Sequence, residues 1–132
     1  MRNSARGVGK SRQRTQPSRG GSPTASVQRA RRLLAAKDTY DRLATLFGAI
    51  ADPTRAAIVH VLLAQELSTT DLALVLGISA PAASQHLRIL RDLRFVSSRR
   101  EGRFVLYRLD DAHVAELVNL GVAHEAEGSP SR

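Results

Sequence analysis

Two histidines near the C-terminal end stand eleven residues apart, each with an acidic companion: Asp111-x-His113 and His124-x-x-Glu127. Imidazole nitrogen and carboxylate oxygen are ligands for a divalent cation such as Zn(II). On an α-helix eleven residues make about three turns, so both histidines face one way within roughly 20°. They are then about 16 Å apart along the axis, whereas a Zn–N bond is about 2.0–2.1 Å. One helix therefore carries two half-sites. A second, antiparallel copy would set His113 of one chain beside His124 of the partner subunit and complete both. Leu117 and Leu120 lie on the same face between the half-sites, an apolar seam suited to a dimer. The competing reading is a surface helix with ordinary acids in its first turn. By helical angle Asp111 points off the His113 face and would join only from that first turn. Asp110 competes with it and also fits the N-cap. Glu116 and Glu125 fall off the seam and are expected in solvent.

The elements that must position these groups come from patterning. The 132 residues suffice for one domain, and the formal charge of +8 is unevenly spread. Residues 1–37 hold ten Lys and Arg and no acid; residues 38–132 hold ten Arg and twelve acids, a net of −2. A Ser-, Gly-, Pro- and Gln-rich basic arm cannot bury a core, so 1–37 are expected to be disordered. Its attraction would be to nucleic acid phosphates; a solvated tail or an upstream extension is the other reading. Residues 38–127 form the folded domain, and 128–132 are expected to be disordered.

Several function classes drop out. Without cysteine there are no disulfides, no thiolate catalysis and no thiolate metal site, and Cu(I) sensing loses its ligands. No stretch reaches the roughly 18 apolar residues of a membrane span. No apolar run follows the basic start as a secretory signal requires, while an Arg- and Ser-rich, acid-poor start could be an organelle transit peptide. A reducing cytoplasm is the expected compartment. His124-Glu125 resembles the start of a His-Glu-x-x-His zinc-protease helix, but position 128 is Gly. No nucleophile–base pair appears, so neither an enzyme nor a small-molecule substrate is expected. A zinc-buffering protein would leave the basic segments described next without a purpose.

From Asp38 the pattern is helical, with Tyr40, Leu43, Leu46, Phe47 and Ile50 at i, i+3, i+4 spacing; Ala30 to Ala36 could extend it upstream. Asp52-Pro53 starts a helix to about Gln65 that is apolar almost all round, the expected centre of the domain, with His60 at the core or a dimer edge. Ser68-Thr69-Thr70-Asp71 is a capping-box variant ahead of a short helix ended by Gly77. Ile78 is expected to be a buried turn residue, and Ser79 caps a helix from Ala80 to about Arg94. Two helices joined by a tight Gly-containing turn form a helix-turn-helix. On the second, Ala83, Leu87 and Leu90 share one face and Pro81, Ser84, Gln85 and Arg88 the other. A small, polar and basic face is what a major groove admits. Ser79, Ser84, Gln85 and Arg88 are thus candidate DNA contacts.

Two runs rich in β-branched and aromatic residues, Phe95 to Arg100 and Arg103 to Leu109, flank Glu101-Gly102 and predict a hairpin. Arg99, Arg100 and Arg103 cluster at its tip as candidate phosphate contacts. From His86 to Arg108 seven Arg stand against two acids. The fold class is therefore mainly α with a β-hairpin wing, a winged helix-turn-helix. Asp110 is expected to open the final helix.

Phe47-Gly48-Ala49-Ile50-Ala51-Asp52-Pro53-Thr54-Arg55, the run Ser79 to Leu90, Arg100-Glu101-Gly102-Arg103 and Tyr107 to His113 together resemble the ArsR/SmtB family of metal-responsive winged-helix repressors. The resemblance covers about residues 38–127. It implies homodimers that bind an inverted-repeat operator in double-stranded DNA and release it when metal binds. In its zinc-sensing branch Asp111, His113, His124 and Glu127 fall on the ligand positions of the C-terminal helix; Co(II) or Ni(II) are possible alternatives to Zn(II). The family also implies that His124 reaches toward the end of the recognition helix near Arg94. The family's cysteine-based sites are absent. A regulator of the same family that does not respond to metal is the alternative.

Overall fold

The computed structural model describes residues 24–128. The chain divides into two units, one up to Tyr40 and one from Asp41 onward.

In the first unit the arm departs from expectation. Its residues 1–23 lie outside the described residues, but helix α1 spans Ala25–Leu33. The cause is local: Thr24 caps it by accepting from the Val27 N–H at 3.3 Å, and Arg31 and Arg32 in the last turn complement the helix dipole. Every α1 residue is exposed. The helix does not run on into the next one. Leu34 turns extended (ψ 134) and α2 begins afresh at Lys37–Ile50, with the Tyr40 hydroxyl accepting from the Ala35 N–H at 2.9 Å.

In the second unit α3 (Pro53–Leu62) is the hub, lying against α4 (Thr69–Leu76), α5 (Ala80–Asp92), α6 (Ala112–Gly128) and the sheet. Asp52 caps α3 by accepting from the Arg55 N–H at 3.0 Å. That bond, opposed by desolvation and helped by the Arg55 charge, holds the Asp52 carboxyl below the usual carboxylate range. Ile58, Val59 and Leu62 are buried there, but Leu63 and His60 face solvent, so His60 is not a core histidine. Ile58, Leu72, Leu87, Leu90, Phe95, Val96 and Val114 form the centre of the core.

The helix-turn-helix is α4–α5. Ser68 caps α4 through the Asp71 N–H (3.1 Å), and Ser79 caps α5 through the Ala82 N–H (3.1 Å). Gly77 ends α4 in the left-handed region (φ 67), with the Ile78 N–H reaching the Ala73 carbonyl and the Gly77 N–H the Leu74 carbonyl. Ile78 is half-buried, less than expected for the turn. Recognition helix α5 closes with the same pair of bonds, Phe95 N–H to Leu90 and Arg94 N–H to Arg91. There the left-handed residue is Arg94 (φ 64), not a glycine. A side chain in that region costs roughly 1–2 kcal/mol. The opposing gain is Phe95, which this turn drops into the core.

The wing consists of β2 (Val96–Glu101) and β3 (Phe104–Leu109), paired antiparallel with Glu101 opposite Phe104. The two-residue turn has Gly102 at positive φ (61) and Arg103 outside that region, as a type II′ turn requires. A two-residue strand β1 (Leu67–Ser68) pairs on the other side of β3, giving the order β1-β3-β2. Nothing in its length or pattern marks it as a strand.

Candidate DNA-reading face and metal half-sites

Helical periodicity sorts α5 into two faces. Ala83, Leu87 and Leu90 are fully buried, while Pro81, Ser84, Gln85 and Arg88 are exposed. The last four, with Ile89, line a shallow depression along the helix. Ser79 is exposed, but its hydroxyl is already used as the cap. On the inner side, the Arg55 guanidinium donates to His86 Nδ1 at 3.2 Å and to the Ala49 carbonyl at 2.6 Å. Nδ1 must then be the accepting nitrogen, which assigns the His86 proton to Nε2. This joint ties the start of α3 and the end of α2 to the recognition helix. Only the Asp52-to-Arg55 cap spacing hints at it in the sequence.

The wing arginines differ from one another. Arg99 bonds Glu66 through Nε (3.0 Å) and Nη2 (2.9 Å), and also bonds Glu101. The hydrogen bond with Glu101, then that with Glu66, raises its pKa. Arg99 therefore departs from the expectation of an open phosphate contact. Arg100 makes only a 3.5 Å contact to the Gly102 carbonyl, and Arg103 sits exposed on the turn. Alternation along β2 puts Ser98 and Arg100 on the face opposite Arg99 and Glu101. Arg91 of α5 reaches Ser98 at 3.5 Å, so Arg100 shares the recognition-helix side. Arg108 bonds Ser97 at 3.1 Å. The patterning missed Arg91 and Arg108 as wing braces, because such contacts leave no periodic trace.

The metal candidates lie on α6. Asp111, not Asp110, caps this helix: Asp111 Oδ1 accepts from the His113 N–H (2.9 Å) and the Val114 N–H (3.1 Å). The reason is the chain's entry. The Asp110 N–H still bonds the Phe95 carbonyl at 2.9 Å, so Asp110 remains tied to the strand side and the helix opens one residue later. This also brings Asp111 to His113, with Oδ1 and Nδ1 4.0 Å apart, the His113 side chain being 92% exposed. His124 and Glu127, one turn apart at the other end, are both exposed. No group of three or more His, Asp or Glu that could hold an ion forms within one chain among the described residues. The donor chemistry suits Zn(II), two nitrogens and two carboxylate oxygens, but only if two chains contribute. Between the ends, Leu117, Leu120 (68% exposed) and Val122 are uncovered. With Ile50, Ala56 and His124 they line a groove along α6. No described helix is long and apolar enough to cross a membrane.

A family model described as "Bacterial regulatory protein, arsR family" matches residues 52–98. The chain is 41% identical over 102 residues to a cadmium resistance transcriptional regulatory protein CadC homolog of Staphylococcus aureus, covering 76% of this chain and 84% of that one. A transcriptional repressor SmtB homolog of Synechocystis is 45% identical over 80 residues, 61% of each chain. Among solved structures, the AntR antimony-specific transcriptional repressor matches with a TM-score of 0.67 and 31% identity, covering 83% of this chain and all of that one. The homodimeric winged helix-turn-helix domain Mb0332 of Mycobacterium bovis matches at a TM-score of 0.63 and 26% identity, over 74% of this chain and 94% of that one.

Proposed function

Because the chain belongs to the arsR family of bacterial regulatory proteins, whose members are transcriptional regulators and not enzymes, we propose that it is a cytoplasmic, homodimeric repressor of an inverted-repeat operator, released by Zn(II). The observation that carries the metal part is α6, with one donor pair at each end and neither able to close a site alone. Asp111 and His113 of one protomer would hold the ion with His124 and Glu127 of the partner subunit. Co(II) would suit the same donors; Ni(II) would want additional ones. The groove with Leu117 and Leu120 is the apolar part of the proposed interface.

For DNA, the exposed α5 face enters the major groove, with Ser84, Gln85 and Arg88 reaching base edges. Ser79 sits exposed at the start of α5, where its hydroxyl is engaged in the cap to the Ala82 N–H and its part is to fix that helix end beside the DNA backbone. Arg100 and Arg103 contact the backbone from the wing. A dimer presents two such helices, and affinity for an inverted repeat depends on the distance between them. Release follows if Zn(II) is bound more tightly by the dimer geometry that fits the operator poorly. The protein's own part is to keep each recognition helix rigid through the Arg55–His86 joint and the Arg91–Ser98 brace.

The deciding experiment is a gel shift of the promoter beside the protein's own gene, titrated with Zn(II), Co(II) and Ni(II). Specific retardation that zinc abolishes is expected; retardation indifferent to every metal would refute the sensing half. A second reading, a regulator of the same family without metal response, is favoured by one observation: Asp111 Oδ1 is already taken by two backbone N–H groups.

The contacts carry their own expectations. Arg88→Ala should cost about 1–3 kcal/mol on the operator and relax preference at one base position. Arg100→Gln or Arg103→Gln should weaken all sequences alike and flatten the salt slope by about one unit each. Arg99→Gln should flatten it by clearly less, because Glu66 and Glu101 already hold that guanidinium. Binding isotherms across a salt series check all three.

A further inference from the structure

The unit that reads DNA carries the wrong long-range charge for the task. Residues 38–132 hold ten Arg against twelve acids. Several of those arginines are also engaged internally: Arg55 with Ala49 and His86, Arg99 with Glu66 and Glu101, Arg108 with Ser97. Duplex DNA is a dense line of negative charge, and phosphate neutralisation supplies essentially all non-specific affinity. A net-acidic reader is repelled until its basic face is already aligned.

Helix α1 has the complementary properties. It presents Arg29, Arg31 and Arg32 within nine residues, all exposed, and no acid occurs anywhere in residues 1–37 to neutralise them nearby. Arg29 and Arg32, one turn apart, share a face with Gln28, and Arg31 flanks them. Val27 and Ala30 lie on the far side. The Thr24 cap keeps these three guanidinium groups on one short rod.

We propose that α1 is a second, sequence-independent contact to duplex DNA, with Arg29, Arg31 and Arg32 on backbone phosphates. The proposal rests on the DNA-binding reading and adds to it a surface outside the winged helix. Because α1 is covalently tethered to the reader, its contact acts at an effective concentration of about mM and need not be tight by itself. A basic amphipathic helix can also lie on anionic lipid. Val27, Ala30, Leu33 and Leu34 give α1 an exposed apolar stripe, so the choice of DNA is carried by the duplex-facing helix on the same chain, and a lipid surface is an outcome of the test.

The test uses the full chain with Arg29→Gln/Arg31→Gln/Arg32→Gln, since Gln keeps helix propensity close to that of Arg. Binding to the operator and to a random duplex is measured across a salt series. The slope of log K against log salt should flatten by about 0.9 per lost contact, up to about 2.7 per protomer. Affinity for both duplexes should fall by the same factor, leaving their ratio intact. The triple Arg→Lys variant should keep the wild-type slope, because a point charge suffices for a phosphate. An unchanged slope in the Gln variant overturns the proposal. So does an unchanged DNA slope with lost binding to phosphatidylserine vesicles, which would assign α1 to a membrane surface. Wild-type protein that binds neither duplex would instead bring down the DNA-binding reading itself.

Discussion

Replacing both α6 histidines, His113→Ala/His124→Ala, should lower zinc affinity by on the order of 10³-fold or more, because each proposed site loses both of its nitrogen donors. The variant should still fold. Both side chains are exposed, and His113 contributes to α6 only through its backbone N–H on Asp111. Chelator-competition titration should find tight sites in the wild type and none in the variant. Operator binding by the variant should persist and become indifferent to zinc. Zinc bound as tightly by the variant would remove α6 as the sensing element. Separating the two outcomes matters, since a protein that has merely unfolded would lose DNA as well.

The second large effect belongs to the core. Leu87 is fully buried on α5, in the core cluster that also holds Leu72 of α4 and Ile58, Val59 and Leu62 of the hub helix. Leu87→Ala removes three carbons from a packed site and leaves a cavity, at a cost of about 2–5 kcal/mol. For a fold of ordinary stability, about 5–15 kcal/mol, that is a large share. Each kcal/mol lowers Tm by about 4–8 °C in a domain of this size. Ser84→Ala, on the opposite face of the same helix and exposed, should change stability by no more than about 0.5 kcal/mol. Thermal melts of the pair therefore check the face assignment directly. If Leu87→Ala melted with the wild type, the orientation of α5 would be wrong, and with it the DNA-reading surface.

That orientation was legible in the sequence because it depends on local periodicity. Ala83, Leu87 and Leu90 recur at helical spacing, and burial follows. The caps at Asp52, Ser68 and Ser79 and the turn at Gly102 were legible for the same reason: each is a bond between residues no more than three apart, or a single φ. What escaped was set at a distance. Glu66 and Arg99 are separated by 33 residues, and nothing local announces their pairing. Asp110 and Asp111 are chemically equal candidates for the cap, and the choice falls to a bond from Asp110 back to Phe95, across the hairpin. Strand β1 exists only because β3 is there to pair with it. Helix α1 escaped for another reason. Composition pointed to a disordered arm, yet a capped run of good helix formers can be helical while every residue of it is exposed, as in α1.

If the proposed sites are shared between subunits, the placement of His113 and His124 at opposite ends of α6 would make defects in the two subunits complement one another in trans. A chain bearing only His113→Ala and a chain bearing only His124→Ala are each predicted to form homodimers with two crippled sites. Mixed and allowed to exchange, they would yield hybrids in which both lesions fall at one end. The other end would then be assembled entirely from wild-type donors. Zinc responsiveness recovered on mixing two separately deaf proteins would be the genetic signature of a shared site, and donors confined to single chains could not produce it.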